Sequence, residues 1–170
     1  MVRVSLMLVI FIFFDGCSSK AQKELMADYE KNLKYSKHLQ KTEKVQLYDG
    51  DITKALLTAT YLYDRDKSED DEKFIIGVHL SDEYDDNNLT NSGYLITLNG
   101  KKAKSVEELD RDDKRLKDIS FVTEWGVYYF VKFPHISSKR FKIEFESELY
   151  GKGKLEFAKV AKYIFTKESI

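Results

Sequence analysis

The chain has 170 residues, and its 28 lysines and arginines nearly balance 29 aspartates and glutamates, so no global field draws it to nucleic acid. Aromatic residues make up 14% and Pro134 is the single proline, a composition that suits a folded, β-rich body and argues against a disordered surface protein. Cys17 is the single cysteine, so the body stabilises itself without internal disulfides.

The N-terminal segment reads as an address label. Arg3 supplies a positive charge, Leu6 to Phe14 is an unbroken apolar run, and Asp15-Gly16-Cys17-Ser18-Ser19 follows at once. The run is far shorter than the ~20 residues needed to cross a bilayer, so it suits the core of a signal peptide. This arrangement resembles the signal peptides of bacterial lipoproteins, which end in a small residue directly before a cysteine. That cysteine receives the diacylglycerol anchor and becomes the mature N-terminus. Gly16 matches the small residue, Cys17 the lipidated one, and Ser18-Ser19 the flexible tether. Phe14 stands where the family usually carries an aliphatic residue, and Asp15 adds a charge beside the cut. The resemblance implies attachment to a bacterial membrane through lipid, the outer membrane in preference to the inner, with no transmembrane helix in the mature chain. One acyl chain binds only marginally at about 0.8 kcal/mol per buried CH₂, and a diacylglyceryl group with an added amide-linked chain meets the need for more.

Residues Ala21 to about Thr42 carry helix formers, with Leu25, Met26, Tyr29, Leu33 and Leu39 at a loose three-to-four spacing. They are expected to form a short amphipathic helix. Asp49-Gly50-Asp51 signals a turn, and Thr53–Tyr63, rich in Thr, Tyr and Leu, is expected as a strand. Phe74, Ile76, Val78 and Leu80 alternate with Ile75, Gly77, His79 and Ser81, the pattern of a half-buried strand. Tyr94, Ile96 and Leu98 lead into Asn99-Gly100, a two-residue hairpin signal, with the return expected through Lys102–Val106. The charged segment Glu107–Lys117 reads as a surface connection with one helical turn. Trp125–Phe133 is apolar on nearly every position, as in a strand covered on both sides. Phe141, Ile143 and Phe145 form a one-faced strand. After a turn at Tyr150–Gly153, Leu155, Phe157, Ala161, Tyr163 and Phe165 return, interrupted at Lys159, which is expected at a bulge or an exposed position.

About seven short strands joined by turns predict an all-β fold, an antiparallel β-sandwich of immunoglobulin-like topology, with a small barrel as the competing architecture. The body is similar to small immunoglobulin-like envelope lipoproteins of unknown function. The expected division is a signal peptide over 1–16, a lipidated tether and helix over 17–44, and the sandwich over 45–170. The body is about the size of one ordinary domain of 150 residues.

No constellation in the sequence names an activity. Asp64, Asp66 and Ser68 begin the spacing of a calcium loop, but Glu69 occupies its glycine position and Ile75 its terminal one. Asp82, Asp85 and Asp86 sit in a second acidic loop. His38, His79 and His135 lie far apart, without a second ligand at metal spacing. There is no Gly-x-Ser-x-Gly elbow and no phosphate-binding glycine loop, so neither an enzyme nor a cofactor is expected. Asn88-Leu89-Thr90 fits the minimal glycosylation pattern, with Asp86 two positions ahead of Asn88. The resulting expectation is a non-catalytic envelope lipoprotein, anchored at Cys17, whose body binds another envelope component and no nucleic acid. The alternative is a carrier that holds an apolar small molecule among Tyr128, Tyr129, Phe130, Phe141 and Phe157.

Overall fold

A computed structural model describes residues 20–64, 70–81, 89, 93–124 and 126–159. Among the described residues, helix α1 (Lys20–Leu39) precedes nine strands: β1 (Thr42–Asp49), β2 (Ile52–Tyr61), β3 (Glu72–Leu80), β4 (Tyr94–Leu98), β5 (Lys101–Lys102), β6 (Ser105–Leu109), β7 (Val127–Phe133), β8 (Arg140–Ser147) and β9 (Gly151–Ala158). They form two antiparallel sheets, one in the order β1-β2-β3-β7-β6 and the other β5-β4-β8-β9. The all-β, sandwich-like expectation holds at this level. An immunoglobulin sandwich places its second and third strands in different sheets. Here β2 and β3 are direct partners, with Leu57 opposite Val78 and Tyr61 opposite Phe74, so the strand order departs from that expectation.

The chain divides into two compact units, residues 1–33 and 34–170. In the first, the described part of α1 carries Leu25, Met26, Tyr29 and Leu33 in exposed positions. The second contains the sheets. β1 starts at Thr42, where the expected helix ends, and three residues before the expected start of the body. Only Val45 and Leu47 supply apolar contacts from it, too few to mark a strand by alternation.

Alternation places one side chain in two inside. Leu57, Ala59 and Tyr61 from β2, Phe74, Ile76 and Val78 from β3, and Tyr129, Val131 and Phe133 from β7 face Leu98, Phe141, Ile143, Phe145, Leu155 and Phe157 of the second sheet. Tyr61 stacks on Phe74 with ring centroids 5.0 Å apart and meets the edge of Phe141 at 5.0 Å. Phe157 meets the edge of Phe74 at 5.2 Å. β3 and β7 are also buried on their outer side, where Ile75, Tyr128 and Phe130 join Leu109, Leu116 and Ile119 in a second cluster. The cover comes from the connection after β6, which includes a 3-10 turn (Lys114–Leu116) capped by Asp113, whose carboxylate accepts from the Arg115 N–H. β7 is therefore the doubly covered strand that its apolar run predicts. β3 is buried on both faces through its centre, a correction to the half-buried expectation.

Asn99 (φ 47°) and Gly100 (φ 78°) both take the left-handed region that the β4–β5 hairpin requires. The return strand is short. After two residues the chain turns at Ala103-Lys104 and pairs with β7 of the other sheet, starting with the Lys104 N–H donating to Lys132 O at 2.7 Å. One side of the sandwich is thus a corner formed by continuous chain. On the opposite side β1 and β9 lie alongside each other: the absence of a side chain at Gly153 admits Val45 and Leu47, and a Cβ there would sit 2.2 Å from Val45 Cγ2.

Candidate functional site

The strand ends at one pole of the body gather a buried charge network. β2 ends at Tyr61, β3 begins at Glu72, β7 ends at Phe133 just before His135 and Ile136, and β9 runs out at Lys159. Glu72 and Lys159 are 3% and 9% exposed, far below the usual state of such side chains. Both continue the inward parity of their strands, two residues before Phe74 and two after Phe157.

Each atom of the pair is satisfied. Lys159 Nζ lies 2.8 Å from Glu72 Oε1 and donates a second bond to the carbonyl of Ile136. The Ile136 N–H donates to Glu72 Oε1 at 2.9 Å, and the Tyr61 hydroxyl donates to Oε2 at 2.5 Å. His135 Nδ1 stands 3.5 Å from Oε1 and 3.1 Å from the carbonyl of Asp70. Burial and the hydrogen bond to Glu72 hold the Tyr61 phenol protonated well above its ordinary range. Lys41, between α1 and β1, donates to the carbonyls of Ala158 and Lys159 at 3.1 and 3.0 Å and stands 4.7 Å from the Tyr63 ring centroid. Burial, with Lys37 adding repulsion, lowers its amine to about 8. Lys41 and Lys159 thereby tie the end of β9 to the beginnings of β1 and β3.

Chemically this is a clamp. Here the carboxylate receives three donors, and among the described residues no buried side-chain nitrogen or oxygen lacks a partner. A polar cleft of about 240 Å³ adjoins the clamp, lined by Tyr63, Asp64, Asp70, Asp71 and Lys73 beside Tyr61 and Glu72. A second cleft of about 280 Å³ lies on the outer face of β2, β3 and β7, bounded by His79, Phe121 and Tyr128. Among the described residues no group of three His, Cys, Asp or Glu side chains could hold a metal ion.

The structure separates the three histidines as their spacing implies. His38 Nδ1 is 3.2 Å from the carbonyl of Asp118, His79 lines the outer cleft, and His135 joins the clamp. Glu72, which closes the acidic stretch that begins at Asp64, is buried. Lys159, expected at a bulge or in solvent, is buried too. Cys17, Trp125, Asn88 and the acids Asp82, Asp85 and Asp86 lie outside the described residues. Leu89, at the centre of the glycosylation pattern, is buried in the main core, and its N–H donates to the Tyr129 hydroxyl at 3.3 Å. The carrier aromatics divide between two packed regions: Tyr129, Phe141 and Phe157 inside the sandwich, Tyr128 and Phe130 in the outer cluster. No family model matches the chain, and no curated protein or solved structure resembles it at a significant level.

Proposed function

We propose that the chain is a lipid-anchored, non-catalytic protein of a bacterial envelope, cut before Cys17, with a sandwich-like body that binds another envelope component. The observation that carries this reading is the apolar run Leu6–Phe14 closing on Gly16-Cys17. The strands form one all-β body, and no described helix is long and apolar enough to cross a membrane. The space between the sheets, where an apolar ligand would sit in the carrier reading, holds Tyr61, Phe74, Phe133, Phe141, Phe145 and Phe157. That packing favours a binding role at the surface over a carrier role inside.

The test is metabolic labelling with a fatty acid. Label enters the wild-type chain, and Cys17→Ser abolishes both labelling and membrane retention while the body still folds. Persistent label in Cys17→Ser, or a native protein that still begins at Met1, overturns the anchor. Turnover by the purified body on a panel of hydrolase and transferase substrates overturns the non-catalytic reading.

A further inference from the structure

At 100° per residue, Leu25, Met26, Tyr29 and Leu33 of α1 fall within a sector of about 100°. All four are more than half exposed. Lys20, Lys23, Glu24, Asp28, Lys31 and Lys34 occupy the opposite side, and over its length the helix carries five lysines against three acids. A narrow apolar stripe under a lysine-rich polar face, with low overall hydrophobicity, is the make-up of a helix that lies in a membrane interface.

Two further observations select the bilayer over other occupants. A self-pairing helix needs apolar positions sustained over three or four heptads, and this stripe ends after Leu33. The chain from Cys17 to Lys20 is three residues long and reaches at most about 10 Å. A lipid on Cys17 therefore delivers the start of α1 to the headgroup layer. We propose, resting on the lipid-anchor reading, that residues Leu25–Leu33 of α1 lie along the anionic bilayer surface, stripe toward the acyl chains and lysines toward the phosphates. The anchor then acts together with a second, non-covalent contact, and the lysine stems extend along the apolar boundary to keep their ammonium groups in water.

The experiment uses the lipidated protein, extracted from cells and reconstituted into phosphatidylethanolamine–phosphatidylglycerol vesicles. Lipidation consumes the Cys17 thiol, so Tyr29→Cys, Leu33→Cys, Asp28→Cys and Lys31→Cys each introduce the sole site for a polarity-sensitive label. The labels at positions 29 and 33 are expected to shift to the blue and to be quenched by nitroxide lipids several-fold more than those at 28 and 31. Equal quenching on both faces, with Cys17 lipidated, overturns the membrane contact and leaves the anchor standing. Disulfide-linked dimers through position 33, or shielding of the stripe without lipid quenching, assign it to a second copy or a protein partner and also overturn the proposal. Labelling of the wild-type chain at a free Cys17 thiol refutes the anchor, and the surface contact falls with it.

Discussion

Replacing Lys159 by Met is the sharpest test of the clamp. Methionine keeps most of the aliphatic stem and removes the ammonium that lies 2.8 Å from Glu72 and bonds the Ile136 carbonyl. Breaking a buried pair from one side costs about 3–5 kcal/mol, because the remaining charge stays in the interior. Glu72 would keep two donors, the Tyr61 hydroxyl and the Ile136 N–H, which places the loss near the lower end of that range. The orphaned Ile136 carbonyl adds about 1 kcal/mol. A total near 4 kcal/mol lowers the midpoint of thermal unfolding by about 10–16 °C in a domain of this size. Urea unfolding followed by circular dichroism reads the same quantity directly. Glu72→Gln should also destabilise, and the double variant should lose less than the sum, with a coupling above about 1 kcal/mol. A Lys159→Met protein within about 1 kcal/mol of wild type, or strictly additive losses, would refute the buried pair.

Other consequences are equally open to measurement. Gly153→Ala drives a Cβ into Val45 and should cost about 1–3 kcal/mol, with Val45→Ala restoring part of the loss; an unaffected Gly153→Ala would mean that β1 and β9 are apart in solution. Lys41 has a folded-state pKa lowered to about 8 from an ordinary value of 10.5, so the unfolded chain binds the extra proton between these values. Its contribution is therefore present above pH 10.5 and lost as the pH falls through 8, so the wild type should gain stability over that window relative to Lys41→Met. Tyr61 acts oppositely: its raised pKa stabilises the fold below pH 10, and that contribution is lost as the pH rises above it, a loss that Tyr61→Phe should not show. Leu116→Ala opens the outer cluster and should cost about 2–4 kcal/mol in urea unfolding, whereas a loss below about 0.5 kcal/mol would mean that the cover after β6 is not packed on β3 and β7.

Short-range signals in the sequence carried much of the fold. The apolar run read over Trp125–Phe133, which forms β7 from Val127 onward, the alternation of Phe141, Ile143 and Phe145, and the Asn99-Gly100 turn each depend on neighbours a few residues away. β1 was illegible because its inward residues are few and much of its outward side is polar. β5 and β6 were merged because nothing local in Lys101–Leu109 announces that a chain crosses from one sheet to another. The clamp was hidden for a different reason. Glu72 lies in an acidic run and Lys159 in a failing alternation, and no local pattern pairs two charges so distant in the chain. A signal did exist: both occupy inward positions of their strands, Glu72 in phase with Phe74 and Lys159 with Phe157. Inward charges of opposite sign on two strands of an otherwise apolar core ask for each other.

The joining of β1 to β9 has a bearing on how the chain is made. A ribosome makes β1 and Glu72 well before Lys159, and the interval between Glu72 and Lys159 takes on the order of 10 s at about 5–20 residues per second. Throughout that interval the carboxylate has no cation to receive it, and closing the aromatic core early would strand its charge. Water is the better host until β9 arrives. Among the described residues β9 is the last strand in chain order, and it carries the seam partner of Val45 and is followed at once by the countercharge of Glu72.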